Sequence, residues 1–333
     1  MRKDISRKEF IKGSTIAIAG IPLAISNSAN NINKSINNSE SDGLLKNIEV
    51  ANKTSISIFS KHLQWLNYKE MAELAAQMGF DGIDLTVRPG GHISPERVTY
   101  DLPKAVEAIH AAGLQVYTIT TNIKSAKQDY TIDILRTASQ LGIKNYRMGW
   151  YTYEAEKSID ENLEIFKNSM ADLVTLNEQY QIHGDYENHT DFFGGSIWDL
   201  WLVLKNFNPK WIGCQFDIRH ATVDGAAAWP INLKILQKYI GSITFKDFRW
   251  KNEENHWHVE DTPLGHGMVD FKRYFELLKN YKLQIPMSLH YEYPLGGADT
   301  GSTTLTIPKS DVIKAIQSDL NTLKSWIKTY ELA

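Results

Sequence analysis

Four short runs hold most of the residues equipped for chemistry. They are Tyr186-Glu187-Asn188-His189, Asp217 with His220 three positions on, Thr244/Lys246/Asp247, and His290 with Glu292. Each run closes a short apolar stretch of β character. Side chains two apart on a strand share a face. Glu187 therefore pairs with His189, Thr244 with Lys246, and His290 with Glu292. Carboxylates and imidazoles converging from neighbouring strands form a mixed O/N set that suits Mn, Co, Zn or Mg with some water retained. The same groups suit proton removal beside a carbonyl, which needs a base near the C–H and positive charge near the developing enediolate. Glu187 and Glu292 are the candidate bases. Lys246 is a candidate to hold an enolate oxygen or move a proton.

Eight of the ten histidines fall at strand ends or in the loops after strands: His62, His92, His189, His220, His256, His258, His266 and His290. His110, on a helix, and His183, entering a strand, do not. Any one of the eight is as well explained by packing, but the set predicts a polar site on one face. Aromatic residues crowd the same loops: Trp150, Tyr151, Tyr153, Trp229, Phe248, Trp250, Trp257 and Tyr293. Rings that pack on sugar faces are expected in a carbohydrate site, although loop packing explains each one singly. His189, His220, Arg219, Trp150, Trp250 and His266 are the predicted substrate-binding residues.

The elements that must position these groups alternate strand and helix. From about residue 54, short apolar runs at 55–59, 82–87, 115–120, 145–149, 182–187, 212–217, 242–247 and 286–292 alternate with helical periodicity. The helices are expected near 68–78, 103–112, 131–141, 159–180, 196–206, 230–239, 270–280 and 309–330. Gly113 and Gly142 read as C-caps before the next strand. Eight such rounds predict an α/β fold, a single-domain (β/α)8 TIM barrel over residues 51–333. In such barrels the loops after the strands carry function. An open doubly wound sheet is disfavoured, because no Gly-rich dinucleotide fingerprint follows a strand.

Composition limits the partners. The 333-residue chain has a formal charge of −3, with no basic footprint for nucleic acid. The single cysteine, Cys214, rules out an internal disulfide and a cysteine-based zinc site. Residues 1–28 read as an export signal, with Arg2, Lys3, Arg7, Lys8 and Lys12 ahead of the apolar run 16–25. Removing them takes away five basic and two acidic residues and leaves about −6, further from any polyanion binder. No cysteine follows the apolar run, so no lipid anchor is expected after cleavage. Residues 29–50, rich in Asn and Ser, read as a flexible linker. A periplasmic or secreted protein follows from this reading. Oligomeric state is open, a homo-oligomer included.

The strand-end motifs resemble those of the xylose isomerase-like barrel superfamily. The resemblance runs from about Thr54 to the C-terminus. Its carriers are Gly79-Phe80-Asp81-Gly82-Ile83-Asp84, Glu187-Asn188-His189, Asp217-Ile218-Arg219-His220, Lys246-Asp247, Pro263-Leu264-Gly265-His266-Gly267 and Tyr291-Glu292. The resemblance implies one divalent metal held by Glu, Asp, His and Glu from strands five to eight. Glu187 and Asp217 match the first two ligands. Thr244 stands at the histidine position, and the final glutamate aligns best with His290. A ligand set of Glu187, Asp217 and His290 is the resulting expectation. The implied activity is proton transfer next to a sugar carbonyl, with isomerisation, epimerisation or elimination as outcomes. The alternatives are a lyase that cleaves 3-keto-glycosides by β-elimination and an inactive carbohydrate-binding barrel.

Overall fold

The computed structural model describes residues 54–332. The expected export signal (1–28) and the expected linker (29–50) lie outside them. Eight parallel strands close a barrel in chain order: β1 (Ile56–Phe59), β2 (Gly82–Val87), β3 (Gln115–Thr121), β4 (Asn145–Arg147), β5 (His183–Glu187), β6 (Ile212–Asp217), β7 (Ile240–Phe245) and the strand that returns to β1, Met287–Leu289. The helices are α1 (Tyr68–Met78), α2 (Val98–Ala111), α3 (Thr131–Gln140), α4 (Ile159–Tyr180), α5 (Ile197–Leu204), α6 (Ile218–Gly225), α7 (Trp229–Leu236), α8 (Phe271–Tyr281) and α9 (Lys309–Tyr330). No described helix is long and apolar enough to cross a membrane.

Local chemistry explains the best-defined elements. Asn67 caps α1 and Ser158 caps α4. Each side chain accepts from the N3 amide, while Glu70 or Glu161 reaches back to the cap amide. Gly113 and Gly142 take left-handed φ of 81°, the conformation that lets the chain leave a helix and enter a strand. Outward-facing strand residues bury against the helices. Phe245 of β7 packs on Phe275 and Tyr274 of α8, and Phe275 stacks on Tyr330 of α9. Burying each such ring stabilises the fold by roughly 1.5–3 kcal/mol. Cys214 lies fully buried on β6.

Three features depart from the sequence pattern, the first being α6 (Ile218–Gly225), a helix directly after β6 where none was expected. The run 247–262, expected as the end of a strand and a loop, forms an antiparallel hairpin of β8 (Asp247–Glu253) and β9 (His256–Thr262). Its turn is Glu254-Asn255, both with left-handed φ. No Asn-Gly or Asp-Gly advertised that turn. The eighth barrel strand, labelled β10, is only Met287–Leu289, so His290 and Glu292 lie just beyond it rather than in it.

The inward positions of the barrel are mostly polar. Asp84 accepts from Thr120 (2.7 Å) and Ser288 (2.8 Å), and Asp185 accepts from Ser242 (2.8 Å). Barrels of this class more often fill such layers with branched aliphatics. The polar floor raises the functional groups above it toward the C-terminal mouth.

Candidate active site

The site is built around one ammonium. Lys246 follows β7 directly, and its Nζ lies 2.9 Å from Asp217 Oδ2, 3.4 Å from Glu187 Oε1 and 3.9 Å from Glu292 Oε1. His220 Nε2 is 3.3 Å away. Two further cations complete the set. Arg147, inward on β4, donates to Glu187, and Lys61, after β1, donates to both oxygens of Glu292 at 3.2 and 3.1 Å. Three cations thus face three carboxylates.

Burial and pairing compete at each group. Burial pushes the Glu187 carboxyl up, but the Lys246 and Arg147 charges outweigh it and hold it low, at about 2. Glu292 is likewise held at about 2, because Lys246 and Lys61 overcome the cost of burial. Asp217 goes the other way, to about 6, since burial and the nearby Glu187 charge exceed the pull of Lys246. Burial would lower Lys246, but Asp217, Glu187 and Glu292 hold it above its ordinary value, so it stays an ammonium. Burial depresses His220 and His290, and the Lys246 charge reinforces this, so both rings are neutral.

Asp217 has two tasks. Its Oδ1 accepts the His220 amide (3.0 Å) and caps α6, while Oδ2 faces Lys246. Asn188 locks the neighbouring strand end, accepting the Asp217 amide (2.8 Å) and donating to its carbonyl (3.0 Å). A cavity of about 380 Å³ opens above the cluster. Its walls include His189, Arg219, His220, Lys246, Asp261 and Glu292. Arg219 donates to Asp261 through Nε (2.9 Å) and Nη2 (2.7 Å), which ties the hairpin to the barrel.

The expected residues divide accordingly. Glu187, Asp217, Lys246, Glu292, His189, His220 and Arg219 come together. His290 does not join them. Its ring stacks on Phe59 (4.2 Å), and its Nε2 sits 3.1 Å from Ser288 and 3.8 Å from Asp84, in the polar floor. Trp150 stacks on Phe192 and under the Arg147 guanidinium, 4.3 Å away, so it supports the site from the side. His266 is exposed on a turn and is absent from the cavity walls. Its loop folds back on Asp247, which accepts from the amides of Gly265 and Gly267 at 2.9 Å. Trp250 lies on the hairpin, 40% exposed.

The other histidines have local roles. His62 bridges the Ala298 carbonyl and the Tyr291 amide, and His256 and His258 occupy one face of the hairpin. Sequence reasoning missed Lys61, Arg147 as a partner of Glu187, and Asp261. The inward register of Arg147, two positions before Gly149 at a strand end, was the signal available for one of them.

The residues present do not fit a divalent ion held by Glu187, Asp217 and His290. An ammonium already lies between the two carboxylates, and the imidazole points into the floor. The position of the family histidine is Thr244, whose buried hydroxyl has no partner in the protein. A further double charge would also unbalance a cluster that is already paired. Among the described residues, no group of three or more His, Cys, Asp or Glu is placed to hold a metal.

The architecture and mouth define a (β/α)8 barrel enzyme whose carboxylates and cations converge after the strands. The chain belongs to the xylose isomerase-like TIM barrel family, whose model matches residues 72–318. A curated relative, the putative L-ribulose-5-phosphate 3-epimerase SgbU of Haemophilus influenzae, is 25% identical over 256 residues, 69% of this chain and 86% of that protein. The crystal structure of the E. coli 3-keto-D-glucoside 4-epimerase YcjR, apo form, superposes with a TM-score of 0.61 at 16% identity, over 82% of this chain and all of that one. The IOLI protein, whose structure holds a zinc atom, superposes at 0.63 with 15% identity, over 82% and 98% of the two chains. At such identities these structures speak for the fold. With its relatives, the chain is an isomerase/epimerase-like enzyme.

Proposed function

We propose that this is an exported enzyme that removes a proton next to the carbonyl of a small carbohydrate and returns it, as an isomerase or epimerase. One observation carries the reading: Glu292, an ionised carboxylate, borders the open cavity beside the buried ammonium of Lys246. In this mechanism Lys246 donates to the substrate carbonyl oxygen and balances the charge that grows there. Glu292 takes the neighbouring proton. When Lys246 and Lys61 turn toward the substrate, the carboxylate loses neutralising charge and becomes more basic. Glu187, buried on β5 against Arg147 and Lys246, is the second carboxylate of this reading and meets the substrate once Lys246 has moved toward the carbonyl.

Four of the five cations near the site, Lys61, Lys246, Arg147 and Arg219, already pair with carboxylates, and the fifth, Arg88, lies over the Phe59 ring. That favours an uncharged sugar over a sugar phosphate. Metal assistance by Mn, Co, Zn or Mg was the expectation from the family, and the ammonium takes that place in the present reading. Metal analysis of the purified protein tests this, with less than one equivalent bound and activity surviving chelation as the expected result. Stoichiometric metal with chelator-sensitive activity overturns the Lys246 role.

The export reading rests on the basic and apolar segments of residues 1–28. A periplasmic or secreted fraction that still begins at Met1 would remove it.

The decisive experiment is solvent deuterium exchange into keto sugars. Glu292→Gln and Glu187→Gln are each expected to lower turnover and exchange at least about 10²-fold with folding intact. A variant that keeps near-full exchange is not a base. If both keep it, the chain is a binding barrel. A second reading, β-elimination from a 3-keto-glycoside, is favoured by the hairpin residues Val259 and Asp261 in the cavity wall. It predicts release of the aglycone alongside exchange.

A further inference from the structure

The outer part of one hairpin face is apolar and exposed among the described residues. In antiparallel pairs, residues opposite one another project to the same side. The register pairs Phe248 with Asp261, Trp250 with Val259 and Asn252 with Trp257. These six residues therefore share one face. Its inner members, Val259 and Asp261, are walls of the cavity that contains Lys246 and Glu292. Its outer members are Trp250 and Trp257, 40% and 60% exposed, with Met268 beside Trp250 at 57%.

The opposite face carries the charge. Arg249 pairs with Glu260, and Lys251 lies 2.7 Å from Glu253 and 2.9 Å from Glu260. A hairpin that served only to pack would turn its tryptophans toward the core. This one leaves them exposed, on the face whose Val259, paired with Trp250, is a wall of the cavity. Its root is also held firmly: Phe248 is buried under Arg219, and Asp261 is gripped by the same guanidinium.

We infer that the Trp250/Trp257 face is a second substrate subsite, which takes an aromatic aglycone attached to the sugar in the cavity. The inference rests on the carbohydrate reading above and narrows its substrate class to glycosides. Tryptophan faces suit such a ring, which offers a flat π surface to stack on. Continuity with the cavity wall distinguishes this occupant from an unrelated protein partner.

The test is a binding experiment that does not depend on turnover. Protein labelled with 5-fluorotryptophan is titrated with 4-nitrophenyl and methyl glycosides of glucose, galactose and xylose, and with 3-keto-glucosides of both types. The resonances of residues 250 and 257 are assigned with W250F and W257F. At least one nitrophenyl glycoside is expected to bind about fivefold or more tightly than its methyl counterpart and to shift both resonances. The double variant W250A/W257A should bring that ratio to about 1, while W198A, on the exposed side of α5, leaves it as it was.

A ratio near 1 in the wild type, or tight binding that leaves both resonances in place, overturns the subsite. So does a wild-type dimer that the double variant converts to monomer, because a second copy then covers the face. Failure of every glycoside to bind to protein that exchanges deuterium into free keto sugars also overturns it. Glycoside binding with the expected ratio but no exchange into any sugar instead removes the proton-transfer reading and leaves the subsite standing.

Discussion

At the scale of single residues, the ionisation of Glu292 and Glu187 is controlled by cations. Both carboxyls are held at about 2 against 4.5 for the free side chain. The folded state thus binds fewer protons than the unfolded state between those values. Their contribution to stability is fully present above about pH 4.5 and is lost as pH falls through about 2. Asp217 opposes this. Near 6 against 3.8, it retains a proton in the folded state that the unfolded chain has released, so its contribution falls as pH rises from 3.8 to 6. The acid limb of kcat/KM that belongs to Glu292 is therefore expected below pH 4.5. Lys246→Met removes the principal cation and should move that limb up by at least about one pH unit, whereas Lys246→Arg should keep it low. A limb unchanged in Lys246→Met would show that Lys246 does not set the base. The carboxylates and Lys246 were readable from strand-end spacing. The direction of His290 was not, because a two-residue period gives the face of a strand but not the rotamer, and this residue stands one position past the end of β10.

At the scale of elements, several helix boundaries were legible from hydrophobic periodicity. α1, α4 and α9 start and stop as the periodicity requires. The hairpin was missed because its turn is Glu254-Asn255 with no Asn-Gly or Asp-Gly, although the alternation Phe248-Arg249-Trp250-Lys251 was a strand signal. Its root depends on Asp247, a buried carboxylate that accepts four amides: Phe248, Gly265 and Gly267 at 2.9 Å, and Val269 at 3.2 Å. The motif reading treated Asp247 as part of the chemical set, but these bonds make it the anchor of β8 and of the following turn. Asp247→Ala leaves those donors without their acceptor and is expected to cost at least about 3 kcal/mol, read as a lower Tm and a lower denaturation midpoint. Asp247→Asn retains one carbonyl acceptor and should recover part of the loss. An Ala variant with unchanged Tm would show that the hairpin root is held by other contacts.

At the scale of the whole molecule, the strand–helix alternation sufficed to specify the barrel, since eight rounds close in chain order with each strand paired to its sequence neighbour. The interior was less legible. Ser57, Asp84, Thr118, Gln215 and Ser242 line a small void in the floor, and the Gln215 amide has no partner in the protein. Strand patterns reveal which positions point inward but not how polar side chains there share their bonds. Cys214, at the centre of β6, gives this architecture a clock. Its sulfur is sealed on the helix-facing side of the strand that also carries Asp217, so a thiol reagent reaches it only after the helix layer has parted from the barrel. The rate of alkylation then times that parting. A ligand that bridges Lys246 and the cavity wall is expected to slow labelling in proportion to its occupancy, and Asp247→Ala should hasten it only if the hairpin and the barrel open as one cooperative unit. Mass spectrometry of the single modified peptide reads both outcomes from unlabelled protein, before any substrate is known.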